Sequence, residues 1–116
     1  MQLPPLLLLL LLPHCASPYE VGTFADASDG VQGPYGLCLD STGIVYVANT
    51  AAHNILKITP AGVVSVHAGS TSDVSGANDG SPTAARFENP YGCDTDTARN
   101  IYVADRGVPA HGYRRA

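Results

Sequence analysis

The chain has no tryptophan, a single methionine and only two phenylalanines. Its core must therefore come from aliphatic side chains and from its six tyrosines. Basic charge is also scarce, with six Lys and Arg against ten Asp and Glu and a net of −4 over 116 residues. The shortage is concentrated. From Pro18 to Ala98, nine acidic residues face only Lys57 and Arg86, a net of −7, while Arg99 to Ala116 carries four Arg against Asp105, a net of +3. An acidic body argues against nucleic-acid binding, which depends on Lys and Arg displacing counterions from phosphates. The Arg114-Arg115 end reads as a solvated tail.

Chemical motifs are missing as well. The sequence contains no Gly-x-Ser-x-Gly, no phosphate loop and no spacing that supports a Ser/His/Asp arrangement, so no catalytic residue and no cofactor are assigned. His14, His53, His67 and His111 form no i, i+4 pair and no Cys-x-x-Cys accompanies them, so they are read as surface or strand-face residues and not as metal ligands. Asn-x-Ser/Thr, the N-glycan acceptor, does not occur.

No apolar run is long enough to span a bilayer, which takes roughly 18 to 20 residues. The run Leu6 to Leu12 behind Met1-Gln2-Leu3-Pro4-Pro5 instead has the length of a secretory h-region, followed by small residues suited to cleavage after Ser17. It departs from the usual form in having no Lys or Arg ahead of the run. Residues 1–17 are thus read as a signal peptide, and the protein as secreted. Removing them leaves Cys38 and Cys93. Because they fall one position out of step in the repeat described next, they are expected to point to opposite strand faces and to remain two small buried thiols.

What is present is an internal repeat. A shift of 56 residues superposes Pro34–Ala48 on Pro90–Ala104 without a gap, matching Pro, Tyr and Gly at 34 to 36 and 90 to 92, Asp40 with Asp96, and Tyr46-Val47-Ala48 with Tyr102-Val103-Ala104. Asn49 and Asp105 follow as a conservative pair. Each element suits a four-stranded antiparallel unit. Gly36 permits close backbone approach in an inner strand. Asp40-Ser41-Thr42-Gly43 makes a hairpin turn in which the carboxylate bonds nearby donors and Gly43 takes positive φ. In the second copy Arg99 replaces that Gly, so Asn100 is expected to supply the unusual angle. The β-branched run at 44–48 reads as a strand covered on both faces, 54–58 as a third strand and 63–68 as a fourth. Residues 69–89 form a crossover with Phe87 as an apolar plug, and Val21–Ala25 is expected to be an outer strand of a preceding unit.

Together these elements resemble NHL repeats. The stretch Pro34-Tyr35-Gly36…Asp40…Gly43…Tyr46-Val47-Ala48-Asn49…Asn54-Ile55…Lys57-Ile58…Val64-Ser65…Ala68-Gly69 follows the family form almost throughout, and the likeness extends over about 21–106. The resemblance implies an all-β fold of antiparallel four-stranded β-propeller blades. About one and a half to two blades are present: a preceding outer strand and crossover at 18–33, a complete blade and crossover at 34–89, a partial blade at 90–106 and an atypical tail at 107–116. Fewer than about three repeats seldom bury enough surface to stand alone. The chain is therefore read as a truncated product or a piece of a longer gene, with open blade edges prone to self-association.

Three residues stand out as ligand-facing candidates. Tyr35 and Tyr91 flank the inner-strand glycines, where the family's funnel would open, and tyrosine is enriched in binding surfaces. Asp94 stands where the first copy has Cys38, so its carboxylate is placed to face a funnel ligand. The resemblance implies a non-enzymatic binding module for an extracellular protein or carbohydrate. Its alternatives are a fragment of a propeller enzyme, amidating-lyase-like or lactonase- or strictosidine-synthase-like, or a gene product with no function of its own. The leader is directly testable: Met1–Pro18 fused to a reporter enzyme should deliver it to the medium, and retention in the cytosol would refute the signal-peptide reading.

Overall fold

The structure is a computed structural model, and it describes residues 21–107 and 113–116. The leader and its proposed cleavage site lie outside the described residues, as does His111. Two sheets organise the rest. The first is a meander of four strands, β1 (Pro34–Leu39), β2 (Val45–Asn49), β3 (Asn54–Ile58) and β4 (Val64–Gly69), each antiparallel to the next. The second begins the same way, with β5 (Pro90–Thr95) and β6 (Ile101–Asp105), and adds β7 (Tyr113–Arg115).

The inner strands β1 and β5 both open on proline, and in both the ladder slips in the first residues, between Pro34 and Leu37 and between Pro90 and Gly92. Beyond the slip the registers are equivalent: Cys38 lies opposite Tyr46, and Asp94 opposite Tyr102. The repeat read from the sequence is thus a repeat in backbone pairing.

The β1–β4 sheet, blade 1, turns Cys38, Tyr46, Ala48, Ile55 and Ala68 toward the β5–β7 sheet, blade 2, which answers with Ile101, Val103 and, from the crossover before it, the plug Phe87. Ile55, Ile101 and Val103 are almost completely buried there. Burying each such side chain contributes about 1.5–3 kcal/mol. On the other side of blade 1, Val47, Leu56 and Ile58 form a smaller cluster with Val31, Val45 and Ala25.

Three expectations are corrected. First, Cys38 and Cys93 are joined as a disulfide, with 5.6 Å between their Cα atoms. The offset that argued against pairing is what permits it. Blades stacked in the same orientation meet through opposite faces, and successive strand residues point to opposite faces. Cys38 and Cys93, one register position apart, therefore face each other across the interface.

Second, the hairpin at 96–100 places Arg99 itself at φ 63°, as Gly43 stands at φ 83°. Arg99 N–H donates to Asp96 O at 3.0 Å as Gly43 N–H donates to Asp40 O at 3.1 Å. Both turns have the same length and hydrogen-bond pattern, so the left-handed position falls on a strained Arg99, while Asn100 bonds Asp96 as Ile44 N–H bonds Asp40.

Third, strand assignments change at both ends. Val21–Ala25 is not a strand, since no described strand lies beside it to supply a ladder; Ala25 packs on the smaller cluster instead. Conversely, part of the supposed tail is a third strand: β7 pairs with β6, Ala104 opposite Tyr113 and Tyr102 opposite Arg115. Backbone pairing needs no sequence motif, so the altered side chains did not prevent it.

The disulfide closes a loop spanning 55 residues of sequence. By the chain-entropy relation, that loop is worth about 4 kcal/mol. Replacing Cys38 and Cys93 together by serine should lower the unfolding free energy by an amount of that order, seen as a lower midpoint in urea unfolding followed by circular dichroism. An unchanged midpoint would show that the bridge does not restrain the unfolded chain.

Candidate functional site

The inner strands converge closely enough that a Cβ on Gly36 would lie 2.7 Å from Tyr91 O and 2.8 Å from Gly92 Cα. Only glycine fits at that approach. One residue earlier, the same convergence brings Tyr35 and Tyr91 ring to ring, with centroids 3.6 Å apart and planes 30° apart. Arg106 adds a cation over the Tyr91 ring, its guanidinium carbon 5.8 Å from the centroid. Hydrogen bonding with Tyr35 is the main influence raising the Tyr91 phenol above its ordinary value, and Arg106 opposes the rise. Tyr35 remains 65% exposed, so the pair forms an aromatic ledge open to solvent.

Asp94 does not join the two tyrosines. It is exposed on the side of blade 2 that faces away from blade 1, along a depression shared with Gly92, Tyr102 and Ala104. Its carboxylate accepts the neighbouring Thr95 N–H at 2.8 Å. The next hydroxyl, Thr95 Oγ1, donates across to Leu39 O at 2.5 Å and ties β5 to β1.

Asp40 and Asp96 are structural, as their place in the hairpins indicated. Asp40 Oδ1 accepts from Thr42 N–H at 2.8 Å, from the Thr42 hydroxyl at 2.6 Å and from Ile44 N–H at 3.1 Å, and the Tyr46 hydroxyl donates to its Oδ2 at 3.3 Å. Asp96 repeats this with Asn100 and with the Tyr102 hydroxyl. Hydrogen bonds hold both carboxyls below the usual carboxylate range, that of Thr42 foremost for Asp40 and that of Asn100 foremost for Asp96. The Tyr46 phenol is pushed up, first by burial and then by the Asp40 charge.

A second repeated device had no functional reading in the sequence beyond its conservative pairing. Asn49 and Asp105 are both buried and each clamps the crossover 17 residues upstream. Asn49 Oδ1 accepts from Gln32 N–H at 2.6 Å, and the Asp105 carboxylate accepts from Glu88 N–H at 2.9 and 3.1 Å. Asn49 also donates to Gly30 O and to Asn54 Oδ1, which a carboxylate could not do. The 56-residue shift that aligns the blades also aligns these clamps, a signal available in the sequence.

The histidines are dispersed. His53 Nδ1 accepts from Asn89 N–H at 3.2 Å, so it buttresses the entry to β5. His67 meets Tyr46 edge-on, with centroids 5.1 Å apart, and burial lowers its basicity. Among the described residues no group of three His, Cys, Asp or Glu gathers as a metal site.

No protein-family model and no curated protein matches this chain. Solved structures do. A protein of unknown function from Bacteroides thetaiotaomicron is 30% identical, with a TM-score of 0.58 over 62% of this chain and 18% of its own. An auxiliary nutrient binding protein from the same organism is 27% identical, with a TM-score of 0.53 over 63% of this chain and 20% of its own. Another auxiliary nutrient binding protein, from Bacteroides ovatus, is 23% identical, with a TM-score of 0.61 over 73% and 22%. The chain thus spans about a fifth of the length of each. Its fold is all-β, built of antiparallel propeller-type blades, with about two of them and no closed ring among the described residues. No described helix is long and apolar enough to cross a membrane.

The depressed pKa values of Asp40 and Asp96 set a pH dependence. Their stabilising contribution is complete above the ordinary carboxylate value of about 3.9 and is lost as the pH falls below it through the lower folded values. Asp40→Asn with Asp96→Asn keeps an acceptor in each turn but removes the titration. Melting curves between pH 7 and pH 2 should therefore fall less steeply for the double variant below pH ~4. Parallel curves would show that the turns do not carry the acid sensitivity.

Proposed function

We propose that the chain is part of a secreted NHL-type β-propeller that acts as a non-enzymatic binding module, with an extracellular carbohydrate or protein as its partner. The observation that carries this reading is the ledge of stacked Tyr35 and Tyr91 beside Arg106 at the start of the inner strands. It offers a flat aromatic face, two phenolic hydroxyls and a guanidinium on one exposed surface. Such amphipathic anchors suit ligands that present both apolar faces and hydroxyls or carboxylates.

Secretion is supported by the Cys38–Cys93 bridge, a linkage that persists in oxidising compartments and is rare in the cytosol, and by the apolar leader. The likeness to proteins described as auxiliary nutrient binding agrees with a binding role. NHL membership rests on the Pro-Tyr-Gly…Tyr-Val-Ala repeat and on the equivalent blade registers. The enzyme alternative is less favoured: a funnel metal would need ligands from several inner strands, and the two inner strands here contribute only Asp94, turned to the outer side of blade 2.

A panel of neutral oligosaccharides and extracellular-matrix peptides screened by calorimetry would test the ledge. For any binder found, Tyr35→Ala and Tyr91→Ala should each weaken affinity tenfold or more, about 1.4 kcal/mol. Asp94→Asn should leave it within about twofold, well under 1 kcal/mol. Binding that survives both tyrosine changes would refute the ledge as the site.

A further inference from the structure

The inner- and second-strand positions that dock blade 1 onto blade 2 at Gly36, Tyr46 and Ala48 recur on the far side of blade 2 with no described residue against them. Gly36, Tyr46 and Ala48 face the second blade; 56 residues later, Gly92, Tyr102 and Ala104 line a depression of about 510 Å³ on the side facing away. A Cβ on Gly36 would strike β5, whereas one on Gly92 would meet no described atom within 4 Å. Tyr46 is 5% exposed and Tyr102 is 41% exposed. The slot is built and vacant among the described residues.

The matching surface is on the same chain. Phe87, Cys93, Ile101 and Val103 are what blade 2 presents to blade 1, and Val31, Leu37, Val45 and Val47 hold those repeat positions on the outward side of blade 1. Leu37 is 62% exposed. We propose that two copies of this chain associate head to tail through these faces, blade 1 of one copy stacking on blade 2 of the other in the register that the two blades use within one chain. The displacement that carries blade 1 onto blade 2 carries blade 2 onto the partner's blade 1. A second copy is therefore the occupant whose complementary surface the chain itself supplies. Such an interface is heterologous, so it propagates until it closes a ring or continues as an open stack. The inference uses blade geometry alone and does not depend on the ligand-binding reading.

The junction between copies would be weaker than the one inside the chain. Asp94 replaces Cys38 and Leu37 replaces Cys93, so no covalent link forms. Within the chain the Thr50 hydroxyl donates to Pro90 O at 2.6 Å and that of Thr95 to Leu39 O. Between copies these positions hold Arg106 and Leu39, so both hydroxyl bonds are lost. Association is consequently reversible and rises with concentration.

Cysteine placement tests the register. Full-length chains carrying Asp94→Cys or Leu37→Cys, each made in an oxidising secretory compartment, are mixed and run on non-reducing gels. The expected result is a disulfide-linked heterodimer in the mixture and monomer in each chain alone, with peptide mapping showing the 38–93 bridge intact as the mark of correctly stacked blades. No heterodimer, or Asp94→Cys homodimers forming equally well, would overturn the proposal. Gly92→Leu provides an independent arm. It fills open space in one copy and blocks the slot for the next, so the 38–93 bridge should form normally while sedimentation shows association at least tenfold weaker than wild type. Equal association of the two would overturn the proposal as well.

Discussion

The approach of β1 to β5 at Gly36 governs the rest of the molecule. The inner strands come so close that a single methyl group would collide with the backbone of Tyr91 and Gly92. Given that approach, the cysteines come within bridging distance, the two tyrosine rings stack and the apolar faces of the sheets close over Ile55, Ile101 and Val103. A larger residue at position 36 would separate the blades and lose all three together, because tightly packed interfaces transmit a local displacement to their neighbours.

Polar groups then fix what apolar contact leaves adjustable. Sheet faces of Val, Ile and Ala would tolerate sliding, but hydrogen bonds have directions. Asp40 and Asp96 set the hairpins and reach the Tyr46 and Tyr102 hydroxyls, so turn and central strand share one anchor. Asn49 and Asp105 hold the crossovers against the ends of β2 and β6, where an unpaired backbone N–H of Gln32 or Glu88 would cost about 1–3 kcal/mol if buried. The pattern is economical. One carboxylate or amide per connection converts a flexible segment into a fixed one.

For function, the consequence is a rigid aromatic ledge on a covalently stapled pair of blades. Preorganisation matters for weakly polar ligands, since side chains already held in place lose little entropy on binding. Tyr35 and Tyr91 are held by each other and by the strands that converge beneath them. The two candidate surfaces are separate in space: the ledge lies at the start of the inner strands, and the vacant slot lies on the outer face of blade 2. Stacking of copies would extend the row of inner strands without requiring the ledge to change its conformation.

The sequence by itself determined the blade. The 56-residue shift, the Asp turns, the plug at Phe87 and the strands read at 34–39, 44–48, 54–58, 63–68, 91–95 and 101–104, each within one residue of its observed bounds, were all legible, because they depend on local pairing rules and on alternation along a strand. Tertiary structure alone decided which faces meet. Sequence places Cys38 and Cys93 on opposite faces, which is correct, yet whether opposite faces diverge or confront each other depends on how whole sheets stack. The same holds for Tyr35 and Tyr91, read as separate candidates and found ring to ring, and for Asp94, found on the other side of its sheet. Periodicity reports the direction of a side chain relative to its own strand. Only the placement of the neighbouring sheet gives that direction a destination.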